Sequence, residues 1–398
     1  MARYKMLDGN AAAVEAIAMA KVGVISAYPI TPQSSVAEKL SELVDKGTLK
    51  ANYIRVESEH TAMSAAITAQ LTGVRAATAT SSVGLALMTE VLGMASGCRV
   101  PIVMPVVNRA LAAPWSLWCD HQDTMTVRDT GWLQFYCENV QDVFDLTIAA
   151  YRIAEDKRVQ TPAMVALDGF FLSHSMQKLL IPEQAEIDAF IGPYIPKNLR
   201  LDPKDPVIIN NLTPSDEMTE MRWQQMMGMK NAETVIDEVF QEFEKTFGRR
   251  HSAVEGYCME DAEEAVVSLG SMSGTAKYVV DQLRAQGRKA GALKVVSFRP
   301  FPYQKVREAL ENTRKIAVID RTAGLGGQGA PLWTETAAAM KDSGKPVINY
   351  IAGLGGRDIS MYTIENIFAD LAENNGSSPV WIDLKENAEN LRQVEMYV

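Results

Sequence analysis

The chain has 398 residues, a formal net charge of −10 at pH 7 and 47% hydrophobic residues, which suits two or three packed domains and excludes wholesale disorder. Such an acidic balance argues against nucleic acid or an anionic membrane as partner. The four cysteines, Cys98, Cys119, Cys137 and Cys258, include no C-x-x-C pair, which disfavours zinc ribbons, ferredoxin-type clusters and thioredoxin-like redox pairs in this chain.

Residues 1–8 carry no apolar signal core, and no stretch approaches the roughly 20 apolar residues of a membrane span. With sparse, irregularly spaced cysteines the expected compartment is the cytoplasm. Residues 9–21 are Ala-rich and predict a helix, followed by a short apolar strand at 22–28. Thr31-Pro32-Gln33-Ser34 opens an amphipathic helix running to about Val44. Strands are expected at 53–56, 74–80, 102–107 and 163–167, and helices at 61–71, 84–95 and 142–154. That alternation predicts a parallel sheet covered on both faces.

From about Pro182 to Gly256 the pattern breaks into a proline-punctuated connection that wraps one domain. It ends in a helix with Val235, Val239, Phe240, Phe243 and Phe247 on one face, stopped by Gly248. A second α/β unit follows, with strands at 265–269, 292–298, 316–320 and 347–351 and helices at 274–285, 303–312, 331–341 and 364–371. The expected division is 1–255 and 256–398.

Gly324-Leu-Gly326-Gly-Gln-Gly329 fits G-x-G-x-x-G between a strand and a helix. A dinucleotide fingerprint puts its first glycine directly after the strand and an acidic residue at the end of the next one. Here Arg321-Thr322-Ala323 intervenes and the next strand ends without a carboxylate, so a tight turn is the better reading. Gly353-Leu-Gly355-Gly356-Arg357-Asp358 reads as a loop at a sheet edge or subunit contact. His60, His121 and His174 lack metal-ligand spacing, and Asp120-His121-Gln122-Asp123 reads as a hydrogen-bonded loop rather than a metal site. The 20 methionines serve most simply as adaptable filler.

Chemistry concentrates where strands end and helices begin, the edge at which open α/β sheets bind ligands. Tyr28-Pro29-Ile30-Thr31-Pro32 offers a hydroxyl, Val56-Glu57-Ser58-Glu59-His60 a carboxylate, and Asn108-Arg109-Ala110 a guanidinium. Singly, Thr31 suits a helix cap, Glu59 a first-turn acid favoured by the helix dipole and Arg109 a surface ion pair. Together they suit an anionic substrate.

At these strand ends the sequence resembles a known family. Ser26–Ser34, Glu57–His60, Ala79–Leu85, Asn108–Leu111, Asp120–Asp123, Arg128–Trp132 and Leu167–Phe170 are similar, in order, to the alpha subunit of multisubunit 2-oxoacid:ferredoxin oxidoreductases, most of all the pyruvate synthase type. Phe298–Pro302 and Gly353–Asp358 extend the resemblance across the second unit. It implies two domains: a pyrimidine-type, thiamine diphosphate-binding parallel-sheet domain and a transketolase-C-terminal-like α/β domain. It also implies beta, gamma and ferredoxin-like delta partner subunits, which carry magnesium and the [4Fe-4S] clusters, with coenzyme A as co-substrate in pyruvate-type members.

By the same resemblance Glu59 matches the glutamate that hydrogen-bonds N1′ of the aminopyrimidine, and Pro29, Ile30 and Ser82 fall in cofactor-binding motifs. Thr31 and Arg109 match residues that hold the substrate carboxylate and carbonyl. Oxalate-type relatives carry a basic residue at the position of Thr31, which disfavours oxalate here. Trp115 stands where an indole either narrows the pocket, stacks on an aromatic 2-oxoacid such as phenylglyoxylate, or simply packs. Branched-chain 2-oxoacids, a non-catalytic assembly scaffold and a self-contained NAD-dependent dehydrogenase are the competing readings.

Overall fold

A computed structural model describes residues 3–374, 376, 379–385 and 388 of the chain. The first unit runs β1 (Arg3–Leu7), α1 (Gly9–Met19), β2 (Val24–Ala27), α2 (Ser34–Asp45), β3 (Asn52–Arg55), α3 (Glu59–Leu71), β4 (Ala76–Ala77), α4 (Ser82–Leu87), α5 (Thr89–Gly97), β5 (Val103–Asn108), α6 (Gln122–Thr126), β6 (Leu133–Tyr136), α7 (Val140–Ala154), β7 (Ala163–Asp168), β8 (Gln177–Ile181), α8 (Gln184–Ile191) and α9 (Met218–Phe247). The second runs β9 (Val254–Tyr257), β10 (Glu264–Ser268), α10 (Met272–Ala285), β11 (Ala290–Val295), β12 (Ser297–Arg299), α11 (Tyr303–Ala309), β13 (Lys315–Asp320), α12 (Pro331–Met340), β14 (Val347–Ile351), α13 (Met361–Glu373) and β15 (Val380–Trp381). Residues 389–398, the end of the expected second domain, lie outside the described residues.

The first sheet has the order β12-β6-β7-β5-β4-β2-β3, parallel except for the antiparallel edge strand β12. Every residue of β5 and β7 is buried, as strands covered on both faces require. On one face Val103, Val107, Phe135 and Val165 pack with α1, α7 and α9. On the other Met104, Val106 and Met164 pack with α3 and α5. The second sheet has the order β15-β14-β13-β10-β11-β9, with β9 antiparallel to β11. The β1 and β8 strands form a separate antiparallel pair.

Several boundaries differ from the expectation. The strand expected at 74–80 is reduced to β4, and the chain rejoins the ladder only at Thr80, paired with Val106. Pro105 explains this: its carbonyl faces Thr80, so its missing N–H faces the same side and no donor serves the ladder there. The helix expected at 84–95 is split at Met88 into α4 and α5. The strand expected at 292–298 is two strands, and β12 leaves the second sheet to join β6 of the first.

The connection beyond Pro182 holds α8 and the 30-residue α9, which Gly248 ends with a left-handed φ of 71°. Between them Leu199, Leu201 and Ile209 lie against the α3 face, and the Leu201 N–H donates to the Leu71 carbonyl at 2.8 Å. Buried Lys294 of β11 joins the two units through Glu138 at 2.9 Å, Asp142 at 3.2 Å and Glu255 at 2.7 Å. Among the described residues no helix is long and apolar enough to cross a membrane.

Candidate active site

Because β2, β3, β4, β5 and β7 are parallel, the residues that follow them share one edge of the sheet. The chain goes from β2 to β3 on one side and then to β4 on the other. The crevice at that reversal is where such sheets bind ligands. The segments 28–33 and 78–82 border it.

Glu59 opens α3 immediately after Ser58, whose side chain caps the helix by accepting the Thr61 N–H. Glu59 is 7% exposed, and no described residue hydrogen-bonds its carboxylate. It lies over Gly84 of α4, where a methyl group would fall 2.6 Å from Glu59 Oε1 and 2.7 Å from Thr80 Oγ1. The hydroxyls of Thr80 and Ser81 are also buried without partners among the described residues. Buried polar groups of this kind are normally satisfied. A cluster of them around an unpaired carboxylate marks a surface shaped for a polar ligand.

Arg109 follows β5 and is 5% exposed. Its Nη1 donates to the Thr31 carbonyl at 2.5 Å, while Nε has no partner among the described residues. Burial pulls its pKa down, and the charges of Asp123 and Glu59 oppose that shift. The Thr31 side chain is exposed. Ser82 begins α4 at a positive φ of 50°, a region that costs a non-glycine residue about 1–2 kcal/mol. Two bonds hold it there: its hydroxyl donates to the Ala110 carbonyl at 2.5 Å, and its N–H donates to Asp123 at 3.0 Å.

Asp123 therefore belongs to the site, although the sequence shows it only as part of a hydrogen-bonded loop. Its Oδ2 accepts the N–H of Ser82 and the N–H of Arg109, each at 3.0 Å. Its Oδ1 accepts Asn108 Nδ2 and the Thr124 N–H, each at 2.8 Å. Burial pushes its carboxyl up to about 6 against the pull of those donors. The structure thus joins Thr31, Arg109 and Ser82 into one network and sets Glu59 beside Gly84 of the helix that Ser82 begins. Pro29 is exposed and Ile30 half-buried on the rim, outside that network. Trp115 is 74% exposed and packs in no core.

Asp168, at the end of β7, accepts hydrogen bonds from Arg321 Nη1 at 2.9 Å and the Ser271 N–H at 3.1 Å. It also pairs with His121 Nε2 at 2.7 Å. Despite burial, His121 and Arg321 hold its carboxyl well below the usual range. Ligand atoms of Cys119, His121 and Asp168 lie within 4.8 Å of one another. The Arg321 guanidinium sits among them, 3.8 Å from Cys119 Sγ, and supplies the positive charge that a metal ion would bring.

The glycine-rich loop at 324–329 closes on itself, with the Gly327 N–H donating to the Gly324 carbonyl at 2.9 Å. A side chain on Gly324 would meet the Gly329 carbonyl at 2.1 Å. At the head of the following helix, Asp320 accepts the N–H groups of Leu332 at 2.9 Å and Trp333 at 3.1 Å. A carboxylate already fills the place a pyrophosphate takes in a dinucleotide fold. The tight-turn reading fits and the nicotinamide reading does not. The loop at 353–358 packs on the first unit: the Gly356 N–H donates to the Cys119 carbonyl at 2.6 Å.

Comparison with known proteins places this geometry in a lineage. Residues 15–241 match the family described as pyruvate flavodoxin/ferredoxin oxidoreductase, thiamine diphosphate-binding, and residues 262–364 match pyruvate:ferredoxin oxidoreductase core domain II. The chain belongs to the pyruvate:ferredoxin oxidoreductase family. Within that family it is 45% identical to the pyruvate synthase subunit PorA of Methanocaldococcus jannaschii, over 97% of this chain and 99% of the relative. It is 43% identical to PorA of Thermotoga maritima, over 93% and 94%. It is also 43% identical to the ketoisovalerate oxidoreductase subunit VorA of Pyrococcus abyssi, over 92% and 93%.

Among solved structures, a 2-oxoglutarate:ferredoxin oxidoreductase from Magnetococcus marinus aligns with a TM-score of 0.73 and 21% identity, covering 92% of this chain. The chain spans 65% of that longer one. A split-gene transketolase aligns at 0.55 and 13%, covering 93% of this chain and 98% of the other. Both likenesses concern the fold: two α/β domains of the thiamine diphosphate-binding kind, as expected. The site suits the aminopyrimidine half of that cofactor, since an unpaired buried carboxylate and unpartnered hydroxyls are what a ring with donor and acceptor nitrogens requires.

Proposed function

We propose that this chain is the alpha subunit of a multisubunit oxidoreductase that decarboxylates a 2-oxoacid oxidatively, with pyruvate as first substrate. The observation that carries the reading is the buried, unpaired Glu59 carboxylate seated over Gly84, in a chain 45% identical to a pyruvate synthase subunit across nearly its whole length. Bound thiamine diphosphate supplies a carbon nucleophile and an electron sink that no amino-acid side chain provides. Glu59 holds the aminopyrimidine at N1′, with Pro29, Ile30 and Ser82 lining the cofactor. Arg109 presents a planar guanidinium to the substrate carboxylate, the group that departs as CO2, and Thr31 holds the adjacent carbonyl.

In the balanced reaction the 2-oxoacid anion and the coenzyme A thiol give the acyl thioester, CO2, one proton and two electrons. Partner subunits would hold the [4Fe-4S] clusters, which would supply a one-electron path to ferredoxin. We assign the diphosphate and magnesium to a beta subunit and the remaining assembly to gamma and ferredoxin-like delta subunits, in the cytoplasm. The domain division we adopt is 1–255 and 256–398.

Branched-chain 2-oxoacids are the second reading, favoured by the 43% identity to a ketoisovalerate oxidoreductase subunit. The test is the purified native complex assayed with a viologen acceptor on pyruvate, branched-chain and aromatic 2-oxoacids, with and without coenzyme A. Coenzyme A-dependent activity highest on pyruvate supports the first reading. Preference for a branched-chain acid supports the second. Activity on arylglyoxylates without pyruvate activity overturns both.

A further inference from the structure

The second domain supplies none of the residues assigned above to cofactor or substrate, yet, besides its contacts at Asp168, Glu138 and Asp142, its loops grip one short segment of the first domain. The Cys119 carbonyl accepts the Gly356 N–H at 2.6 Å, and Asp120 Oδ2 accepts the Gly355 N–H at 3.3 Å. The His121 N–H donates to the Arg321 carbonyl at 2.8 Å. Thr322 Oγ1 donates to Gln122 Oε1 at 2.6 Å. Four consecutive residues, 119–122, are thus tied to the second domain, and the next residue is Asp123.

Asp123 faces the other way, into the first domain, and all four of its hydrogen bonds come from donors there. Two of those donors are the backbone N–H groups of Arg109 and Ser82, on different loops of the site. One carboxylate oxygen therefore sets the spacing between the loop after β5 and the start of α4. An ionised carboxylate is the only side chain of this size that accepts on both oxygens without presenting a donor.

We infer that Asp123 is a positioning residue that fixes Arg109 and Ser82 relative to each other, and that the second domain sets Asp123 through its grip on residues 119–122. The inference rests on the proposed role of Arg109 in holding the substrate carboxylate. It gives the second domain a part in substrate affinity without any contact with substrate.

The experiment uses the assembled complex. Asp123→Ala removes both acceptor oxygens, so the N–H groups of Ser82 and Arg109 lose their shared partner. The KM for the 2-oxoacid rises about tenfold or more, as loss of a charge-assisted hydrogen bond requires, while the KM for coenzyme A stays within about twofold. The double variant Asp120→Asn/Thr322→Val weakens the ties at residues 120 and 122, including the bond Asp120 accepts from the Gln122 N–H at 3.0 Å. It raises the same KM in the same direction by about threefold or more, with the thermal midpoint of the complex unchanged.

Both values are taken per active complex, counted by bound thiamine diphosphate, so that loss of folded material does not enter. A purely structural role lowers the count and leaves KM untouched. Wild-type KM in Asp123→Ala overturns the inference, and wild-type KM in the double variant removes the second domain from it. If the wild-type complex oxidises no 2-oxoacid at all, the functional reading itself fails, which is a separate result.

Discussion

The Glu59 carboxylate occupies space that exists only because residue 84 has no side chain: a Cβ on Gly84 would lie 2.6 Å from Oε1 and 2.8 Å from Cγ of Glu59. In an ordinary helix, glycine to alanine favours the helix by about 1 kcal/mol. Here the added methyl must displace the carboxylate. Gly84→Ala is therefore expected to leave the chain folded, as read by circular dichroism, and to lower turnover of the assembled complex by at least about tenfold through misplacement of Glu59. Wild-type turnover in this variant would show that the juxtaposition has no catalytic weight.

Arg109 reaches the Thr31 carbonyl through Nη1 and leaves Nε unpartnered among the described residues. A lysine keeps the charge and loses the planar fork. Arg109→Lys is expected to raise the KM for the 2-oxoacid about tenfold to a hundredfold, with thiamine diphosphate affinity little changed. Steady-state kinetics and a cofactor titration check the two parts separately.

Lys294 is 3% exposed and compensates Glu138, Asp142 and Glu255 where the two domains meet. Those carboxylates hold its pKa well above the usual lysine range despite burial. Lys294→Met fills the space but leaves Asp142 and Glu255 without their cation, while Glu138 keeps Lys277 at 2.6 Å, and removal of one partner from a buried ion cluster costs about 3–5 kcal/mol. Chemical denaturation should register that loss. A change within about 0.5 kcal/mol, the usual range for a surface substitution, would contradict the assignment.

Asp320 caps the glycine-rich loop's helix and also accepts Asn349 Nδ2 at 2.8 Å. Burial pushes its carboxyl up to about 7, against roughly 3.9 in an unfolded chain. Between those values the unfolded state binds fewer protons than the folded one, so this group makes stability fall as pH rises from about 4 to 7. Asp320→Asn removes the titration. The thermal midpoint of the variant should start lower and decline less across that window, whereas parallel pH profiles would place the ionisation elsewhere.

Much of the site edge was legible because parallel β/α patterning puts every strand-to-helix turn on one side, which brought Thr31, Glu59 and Arg109 together from their positions alone. The start of α3 was expected at 61, two residues late, although Ser58 caps the helix. The supporting structure was not legible. Nothing local in Asp120-His121-Gln122-Asp123 distinguishes an acid that holds Ser82, 41 residues away, from one that closes its own loop.

The shortness of β4 depends on Pro105 in the neighbouring strand, and the passage of β12 into the first sheet depends on a free edge at β6. Both are properties of pairing between distant segments, to which periodicity is blind. The Asp168–Arg321 contact spans 153 positions and exists only once the two domains have docked. The spacing of the four cysteines gave no hint that Cys119 lies beside a buried arginine.

The central claim is that Glu59 serves thiamine-dependent oxidation of a 2-oxoacid, and its most direct measurement is pyruvate-dependent viologen reduction by the assembled complex carrying Glu59→Gln. The account predicts a loss of about a hundredfold or more in turnover, the scale of a lost acid–base group, with assembly and thermal midpoint preserved. Near-wild-type turnover in that complex would contradict it.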